Sequence, residues 1–169
     1  TVTAFARNPE KLEIKNTKLI YSSGDVLNRM DVLEAIKGHD AVIITLGSGM
    51  SRNSVVRSRG TLNVINAMQS NSISRIICQS TLGTHESWSN LNFWWKYVMF
   101  GALIKPVFKD HELQENFVRA SCLDWTIVRP SAFCDGPASE CFKENFSSSE
   151  RHLTLKISRA DVAKFLSKQ

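Results

Sequence analysis

A run of six uncharged residues, rich in β-branched side chains, covers positions 41–46 and leads straight into Gly47, Ser48 and Gly49. Its apolar positions are consecutive rather than alternating, which predicts a strand covered on both faces, as in a parallel sheet between helices. A buried helix segment shows similar runs, but the short length and the glycine favour a strand. Ligands of open α/β sheets bind at the carboxyl ends of the strands, where glycine lets the backbone approach closely. We therefore expect residues 46–49 to form one wall of a site.

The same reasoning divides the rest of the chain into alternating strands and helices. Strands are predicted at residues 1–6, 19–23, 75–81, 124–129 and 153–157, and helices at 28–36, 53–69, 106–121 and 158–166, with a loop over 131–150. Asn28 or Asp31 is predicted to cap the first of these helices, which Gly38 closes, and Ser158 or Asp161 begins the last. Strands alternating with helices at this spacing predict an α/β fold with a doubly wound parallel sheet.

The helix predicted over residues 53–69 has its apolar side chains on roughly one side, and Arg57 and Arg59 are expected near solvent. Gly60 lies in the middle of this helix, where it costs about 1 kcal/mol relative to alanine. We therefore expect Gly60 to mark close packing of the helix on the sheet.

Length and composition are typical of one soluble globular domain covering residues 1–169, with 43% hydrophobic and 22% charged residues. The net charge of +5 permits an anionic ligand, but the basic residues are scattered, so nucleic acid is not the expected partner. The cysteines lack the spacing of a zinc site and are expected to be reduced thiols of a cytoplasmic protein without a bound metal. They are Cys78, Cys122, Cys134 and Cys141.

An aromatic block covers residues 93–104, from Phe93 to Ile104. It is shorter than the roughly 18–20 apolar residues that span a bilayer, and Lys96 interrupts it, so no transmembrane segment is predicted. One interpretation is a helix or lid packed on its own domain. The alternatives are self-association, docking of a partner, or contact with a membrane surface through this block.

Six stretches of the chain, in this order, resemble one family. They are residues 6–12 (ARNPEKL), 24–26 (GDV), 40–47, 60–64 (GTLNV), 124–130 (DWTIVRP) and 157–163 (ISRADVA). Together they resemble the atypical short-chain dehydrogenase/reductases, in particular the NAD(P)-binding NmrA-like proteins and the biliverdin reductase B/flavin reductase proteins. The resemblance covers nearly the whole chain and implies a Rossmann-like, three-layer α/β/α fold that binds NADP(H), with NAD(H) as an alternative.

The resemblance also implies roles for residues in the first half of the chain. Arg7 matches the basic residue that holds the 2′-phosphate of NADP, a role that suits the bidentate guanidinium. Asp25 and Val26 match the residues that flank the adenine, the carboxylate accepting from the adenine amino group. The loop beside the adenine ribose and the pyrophosphate is matched by Leu46, Gly47, Ser48 and Gly49.

Further positions match the nicotinamide side of the family's site. Ser80 and Thr81 match the strand end beside the nicotinamide, and Ala132 and Phe133 match backbone contacts to its amide. His111 stands where biliverdin reductase B-like proteins place a histidine, which implies a contact to the nicotinamide ribose. Thr81 and His111 are therefore the candidate catalytic residues.

The chain departs from the family pattern in two ways. Members begin with a strand and a Gly-rich turn, whereas this chain starts at what would be the second strand, so we expect the first β-α unit to be missing from it. In the only GxG, at residues 47–49, Arg52 stands where a third glycine would fall. The second departure lies at the family's Tyr-x-x-x-Lys, where this chain has Val107 and His111, so no phenol is present to act as an acid.

Three functions remain open from the sequence. The first is an NADPH-dependent reductase of a flavin-like or other conjugated small-molecule acceptor, in which the nicotinamide supplies the chemistry. The second is a non-catalytic, NmrA-like sensor of NADP(H), favoured by the missing Tyr and Lys. The third is a scaffold or assembly factor that docks through residues 93–104.

Overall fold

The computed structural model describes residues 1–49, 51, 53–139 and 141–169. Arg52, which stands where the family's third glycine would fall, lies outside these residues. The described residues contain seven strands: β1 (Val2–Ala6), β2 (Leu19–Ser23), β3 (Ala41–Ile44), β4 (Arg75–Gln79), β5 (Asp124–Val128), β6 (Ala132–Cys134) and β7 (Lys156–Ser158). The α-helices are α1 (Arg29–Ala35), α2 (Val56–Ser70), α3 (Lys105–Arg119) and α4 (Arg159–Leu166). Pro9–Leu12 and His85–Asn90 form 3₁₀ turns, and Trp94–Leu103 forms a π-helix.

All strand pairs in the described residues are parallel, and they form three sheets with the orders β1-β2, β3-β4-β5 and β6-β7. The central pairing sets Ile76 of β4 against Val42 of β3 and Trp125 of β5. β1 is tied to the segment before β3 by a hydrogen bond of 2.8 Å between Thr3 Oγ1 and His39 Nε2. The predicted Rossmann-like α/β architecture is confirmed, with its strands divided among these three parallel sheets.

Helices cover both faces of the sheet that contains β4. Ile76 and Cys78 are fully buried in a cluster shared with α1, α2 and α3, whereas Ile77, on the opposite face, packs against Val162 and Leu166 of α4. Because successive strand residues point to opposite faces, this split places one helix layer on each side. The three layers agree with the predicted α/β/α arrangement.

β3 differs from the prediction that both its faces are covered. Val42 and Ile44 pack into the core cluster, but Ile43 is 48% exposed and Ala41 is also exposed. The reason is its place at the edge of its sheet: α4 covers Ile77 of β4 and does not extend over Ile43. The consecutive apolar run therefore marks a strand with one covered face.

Local sequence signals explain where the helices begin and why two of them pack closely. The side chain of Asn28 accepts from the Met30 N–H at the start of α1, and that of Ser158 accepts from the Asp161 N–H at the start of α4, as predicted. Gly60 of α2 also behaves as predicted. A Cβ at Gly60 would lie 2.8 Å from Leu46 Cδ1 and 2.9 Å from a Val26 methyl, so any larger residue would require these side chains to move.

Two segments complete the fold. Residues 131–150 were expected to be loop-like, but they begin with β6, which pairs with β7 and so fixes the chain just after β5. The aromatic block packs one side on its own chain, as one of the alternatives predicted: Trp95, Phe100 and Ile104 join a cluster with Leu82 and Phe108. None of the helices within the described residues is long and apolar enough to cross a membrane.

Candidate functional site

A cleft of about 510 Å³ opens at the carboxyl ends of β3, β4 and β5. Residues 45–47 follow β3, residues 80–82 follow β4 and residues 130–132 follow β5, and all of them line it. The Ser80 N–H donates to the Val128 carbonyl (2.8 Å) and the Leu82 N–H donates to the Pro130 carbonyl (2.8 Å), which extends the pairing past the end of β4. The cleft therefore lies where open α/β sheets bind ligands.

One end of the cleft is polar and is built around the first turn of α2. The Arg57 guanidinium lines it and donates from Nη1 to Ser48 Oγ at 3.0 Å. Asp110 of α3, with its side chain 4% exposed, accepts from the backbone N–H of Arg57 and from that of Ser58, both at 3.1 Å. Asp110 thus occupies the two amides that the start of α2 would otherwise leave without partners.

His111 lies next to Asp110 and lines the same cleft. Burial lowers the pKa of His111 to about 4, with a further contribution from the positive charge of Arg57, while Asp110 acts in the opposite direction. The imidazole is therefore neutral at pH 7, with one nitrogen able to donate and the other able to accept a hydrogen bond.

The other end of the cleft is apolar and aromatic. Leu91, Trp95, Phe100 and Ile104 line it, and the ring of Phe100 stacks on that of Phe108 with centroids 4.7 Å apart. This wall comes from the inner side of the aromatic block. It offers a surface that excludes water and accepts a flat, apolar ligand group.

A buried ion pair lies next to the segments after β4 and β5 that line the cleft. Glu115 has no exposed side-chain surface; it accepts from Arg129 Nε at 3.0 Å and Nη2 at 2.7 Å, and from Thr84 Oγ1 at 2.5 Å. Burial raises the pKa of Glu115, but the hydrogen bonds from Arg129 and Thr84 and the positive charge of Arg129 outweigh it, and the pKa lies below its usual value. Glu86 holds Arg129 from the other side at 2.9 Å. The segments that follow β4 and β5 are therefore anchored to α3 through Thr84 and Arg129.

Several predicted site residues meet in this cleft. The structure places Leu46, Gly47, Ser80, Thr81, His111, Ala132 and Phe133 along it, and Ser48 joins them through its contact to Arg57. They come from four separate segments of the chain, which the parallel strands bring to one edge. Their individual roles toward a cofactor stay predictions.

The remaining predicted residues do not line the cleft. Arg7 is exposed just after β1, and Gly49 lies two residues past Gly47 with a positive φ of 56°. Asp25 turns its carboxylate to the Leu27 N–H at 2.9 Å. Val26 is buried in the core against α2, so its side chain has a packing role, and its backbone carbonyl accepts from Asn63 Nδ2 at 2.9 Å.

Arg57 is the main residue that the sequence interpretation missed, since it was expected near solvent. Its side chain is only 11% exposed. The helical spacing could have revealed the burial of Arg57. It stands three or four residues apart, in steps, from other residues on the face of α2 that packs on the sheet: Gly60, Val64 and Met68. Within the described residues, no group of three or more His, Cys, Asp or Glu side chains could hold a metal ion.

Comparison with known proteins identifies the fold and the family. The sequence profile of the NAD(P)H-binding family matches residues 1–169. A Rossmann-fold NAD(P)-binding family protein from Shigella flexneri is 26% identical with a TM-score of 0.70, over 98% of this chain and 71% of that one. An anaerobillin reductase from Escherichia coli is 24% identical with a TM-score of 0.73, over 98% and 76%. A short-chain dehydrogenase/reductase from Veillonella parvula in complex with NADP is 17% identical with a TM-score of 0.76, over 98% and 73%.

Proposed function

This chain belongs to the NAD(P)H-binding family and is an atypical short-chain dehydrogenase/reductase, as its sequence predicts. We propose that it is an NADPH-dependent reductase of a flavin-like or other conjugated acceptor. One observation carries the proposal. A single cleft joins the strand ends that the resemblance assigns to the nicotinamide, at Ser80 and Thr81, to an aromatic wall at Trp95 and Phe100. A cofactor and a flat acceptor would be held side by side in such a cleft.

The residues of the cleft fit NADP(H). A Cβ added at Gly47 would meet nothing within 4 Å, so the backbone there is open to a phosphate or ribose. Arg57 brings a positive charge to the same end. Arg7 does not line the cleft, but it is exposed just past the carboxyl end of β1, which suits a contact to the 2′-phosphate. The NADP held by the Veillonella parvula neighbour supports this choice of cofactor.

The bound nicotinamide would supply the hydride, and the chain would position it. In this proposal Thr81 orients the ring and His111 holds the ribose. Since the pKa of His111 is about 4, it acts as a neutral hydrogen-bonding group at pH 7 and is a poor proton donor. With no phenol at the family's usual position, solvent provides the proton that completes the reduction. The anaerobillin reductase among the similar structures supports a reductase over other activities.

A second candidate, an NADP(H) sensor, is favoured by the two sides of the aromatic block. Trp95 and Phe100 line the cleft, whereas Phe93 is 73% exposed, Trp94 58% and Tyr97 60%. Such a segment has one side on the cleft and an apolar side in solvent, so it is suited to transmit NADPH binding in the cleft to a partner protein that contacts the exposed side. In this alternative the protein binds NADPH without turnover.

The two candidates are separated by following NADPH oxidation with a panel of flavins and quinones. The proposal predicts oxidation by at least one acceptor, and a larger loss of kcat than of NADPH affinity in Thr81→Ala and His111→Ala. Lys109→Ala, which changes an exposed residue on the same helix as His111, serves as the control and is expected to leave kcat and NADPH affinity unchanged. Saturable NADPH binding without oxidation by any acceptor would support the sensor, and absence of NADPH binding would contradict both candidates.

A further inference from the structure

Arg57 is a buried cation with unused hydrogen-bonding capacity. Its side chain is 11% exposed, and its one side-chain hydrogen bond within the described part of the chain joins Nη1 to Ser48 Oγ at 3.0 Å. Nε is buried and has no partner among the described residues. A guanidinium carries five N–H donors, so most of them remain available here. Leaving a buried N–H group of a charged side chain without an acceptor is costly.

The nearest carboxylate does not use up this capacity. Asp110 Oδ2 lies 3.9 Å from Arg57 Nη1, which is too long for a hydrogen bond. The oxygens of Asp110 instead accept from the backbone N–H of Arg57, the backbone N–H of Ser58 and the hydroxyl of Ser58, the last at 2.5 Å. Burial lowers the pKa of Arg57 and the charge of Asp110 raises it, but the guanidinium stays protonated at any physiological pH.

The same arrangement determines what a ligand can find at this end of the cleft. The N–H groups at the start of α2 are the usual anion-binding groups of a helix N-terminus, but two of them are already taken by Asp110. His111, the other titratable group here, is neutral at pH 7. Arg159 also lines the cleft, but its guanidinium pairs with Asp135. Among the described residues, Arg57 is therefore the positive group at the end of the cleft between Gly47 and His111.

We propose that Arg57 is the anion-binding residue of this cleft, holding an oxyanion of the bound ligand with its free guanidinium donors while Ser48 fixes the side chain. This rests on the proposed function. The oxyanion comes either from the pyrophosphate of the cofactor or from a carboxylate of the acceptor, since both match the guanidinium fork.

The test compares Arg57→Gln and Arg57→Lys with Arg59→Gln, which removes the same charge from an exposed position on the same helix. NADPH dissociation constants are measured by protein fluorescence, and acceptor KM by NADPH oxidation. Arg57→Gln is expected to weaken one ligand by about 10-fold to 100-fold, as for a lost charge-assisted contact. Arg57→Lys keeps the charge without the fork and should recover only part of the loss. Arg59→Gln should change neither constant more than about twofold.

The outcomes identify the source of the oxyanion. A raised NADPH dissociation constant assigns it to the pyrophosphate, and a raised acceptor KM alone assigns it to the acceptor. If Arg57→Gln and Arg59→Gln have equal, small effects on the NADPH dissociation constant and on the acceptor KM, the proposal for Arg57 is wrong while the reductase function stands.

A second measurement is independent of the cofactor: thermal unfolding with increasing inorganic pyrophosphate, with circular dichroism confirming that each variant is folded. Pyrophosphate should raise the Tm of the parent and of Arg59→Gln, but not that of Arg57→Gln. A parent that binds no NADPH but shows this pattern would contradict the proposed function and leave the anion site supported. A parent that responds to neither ligand would overturn both.

Discussion

The buried pair of Glu115 and Arg129 should be the most sensitive point beneath the cleft. Glu115 is fully buried and receives two hydrogen bonds from Arg129 and one from Thr84. Removing one partner of a buried pair typically costs about 3–5 kcal/mol, because the other charge remains buried without compensation. Arg129 keeps Glu86 at 2.9 Å, which reduces the penalty. We therefore expect Glu115→Gln to lower the free energy of unfolding by about 3 kcal/mol.

Glu86→Gln is the matched control, because it removes the same charge from the same arginine at an exposed position. Glu86 is 60% exposed, so its loss should cost about 1 kcal/mol or less. Urea unfolding followed by tryptophan fluorescence gives both values. A loss in Glu115→Gln no greater than in Glu86→Gln would refute the reasoning.

The same pair predicts a pH dependence. The folded pKa of Glu115 is lower than the ordinary value of 4.5, so the stability it contributes is present above pH 4.5 and is lost as the pH falls through the folded pKa. The stability difference between the parent and Glu115→Gln should accordingly narrow below about pH 4.5 and be largest near neutrality. A difference that is constant down to strongly acidic pH would contradict the assignment of a charged Glu115.

Three further predictions follow from individual side chains. Arg7→Ala should weaken NADPH by about 1–3 kcal/mol and leave NADH nearly unchanged, as measured by titration; equal losses would exclude a 2′-phosphate contact. His111 has a folded pKa of about 4 against 6.5 in the unfolded chain, so stability should fall by about 3 kcal/mol as the pH drops through this interval, and His111→Gln should abolish that part of the change. Gly60→Ala gains about 1 kcal/mol of helix propensity but places a Cβ 2.9 Å from the stiff Val26 side chain, and overpacking costs about 1–3 kcal/mol; a net loss of Tm is expected, and a gain would show that the contact relaxes freely.

Local patterns in the sequence predicted those features that depend on neighbouring residues. The caps of α1 and α4 depend on Asn28 and Ser158, each bonding within three residues of itself. The close approach at Gly60 was visible because glycine is unfavourable inside a helix unless space requires it. The coverage of β3 was not predictable in this way, because an apolar run does not show whether the strand lies at the centre or at the edge of its sheet.

The site combines residues far apart in the chain, which explains what the sequence left out. Asp110 reaches Ser58 across 52 residues, and Glu115 reaches Thr84 across 31. These contacts depend on how α3 packs beside α2 and over the end of β4, so no short pattern contains them. Arg57 is expected near solvent because arginine usually is, but its guanidinium instead donates to Ser48 Oγ, in the segment that follows β3.

The most direct test of the account is whether NADPH binds in the cleft at the strand ends. Trp95 lines this cleft. The ring of Trp125, in β5, instead lies beneath the Arg119 guanidinium, with 5.6 Å between the ring centroid and Arg119 Cζ. In protein labelled with fluorotryptophan, with resonances assigned through Trp95→Phe and Trp125→Phe, fluorine NMR can follow both rings during an NADPH titration. If NADPH binds in the cleft, the Trp95 resonance should shift saturably and the Trp125 resonance should change little. A shift at Trp125 with none at Trp95, or no shift at saturating NADPH, would contradict binding in the cleft.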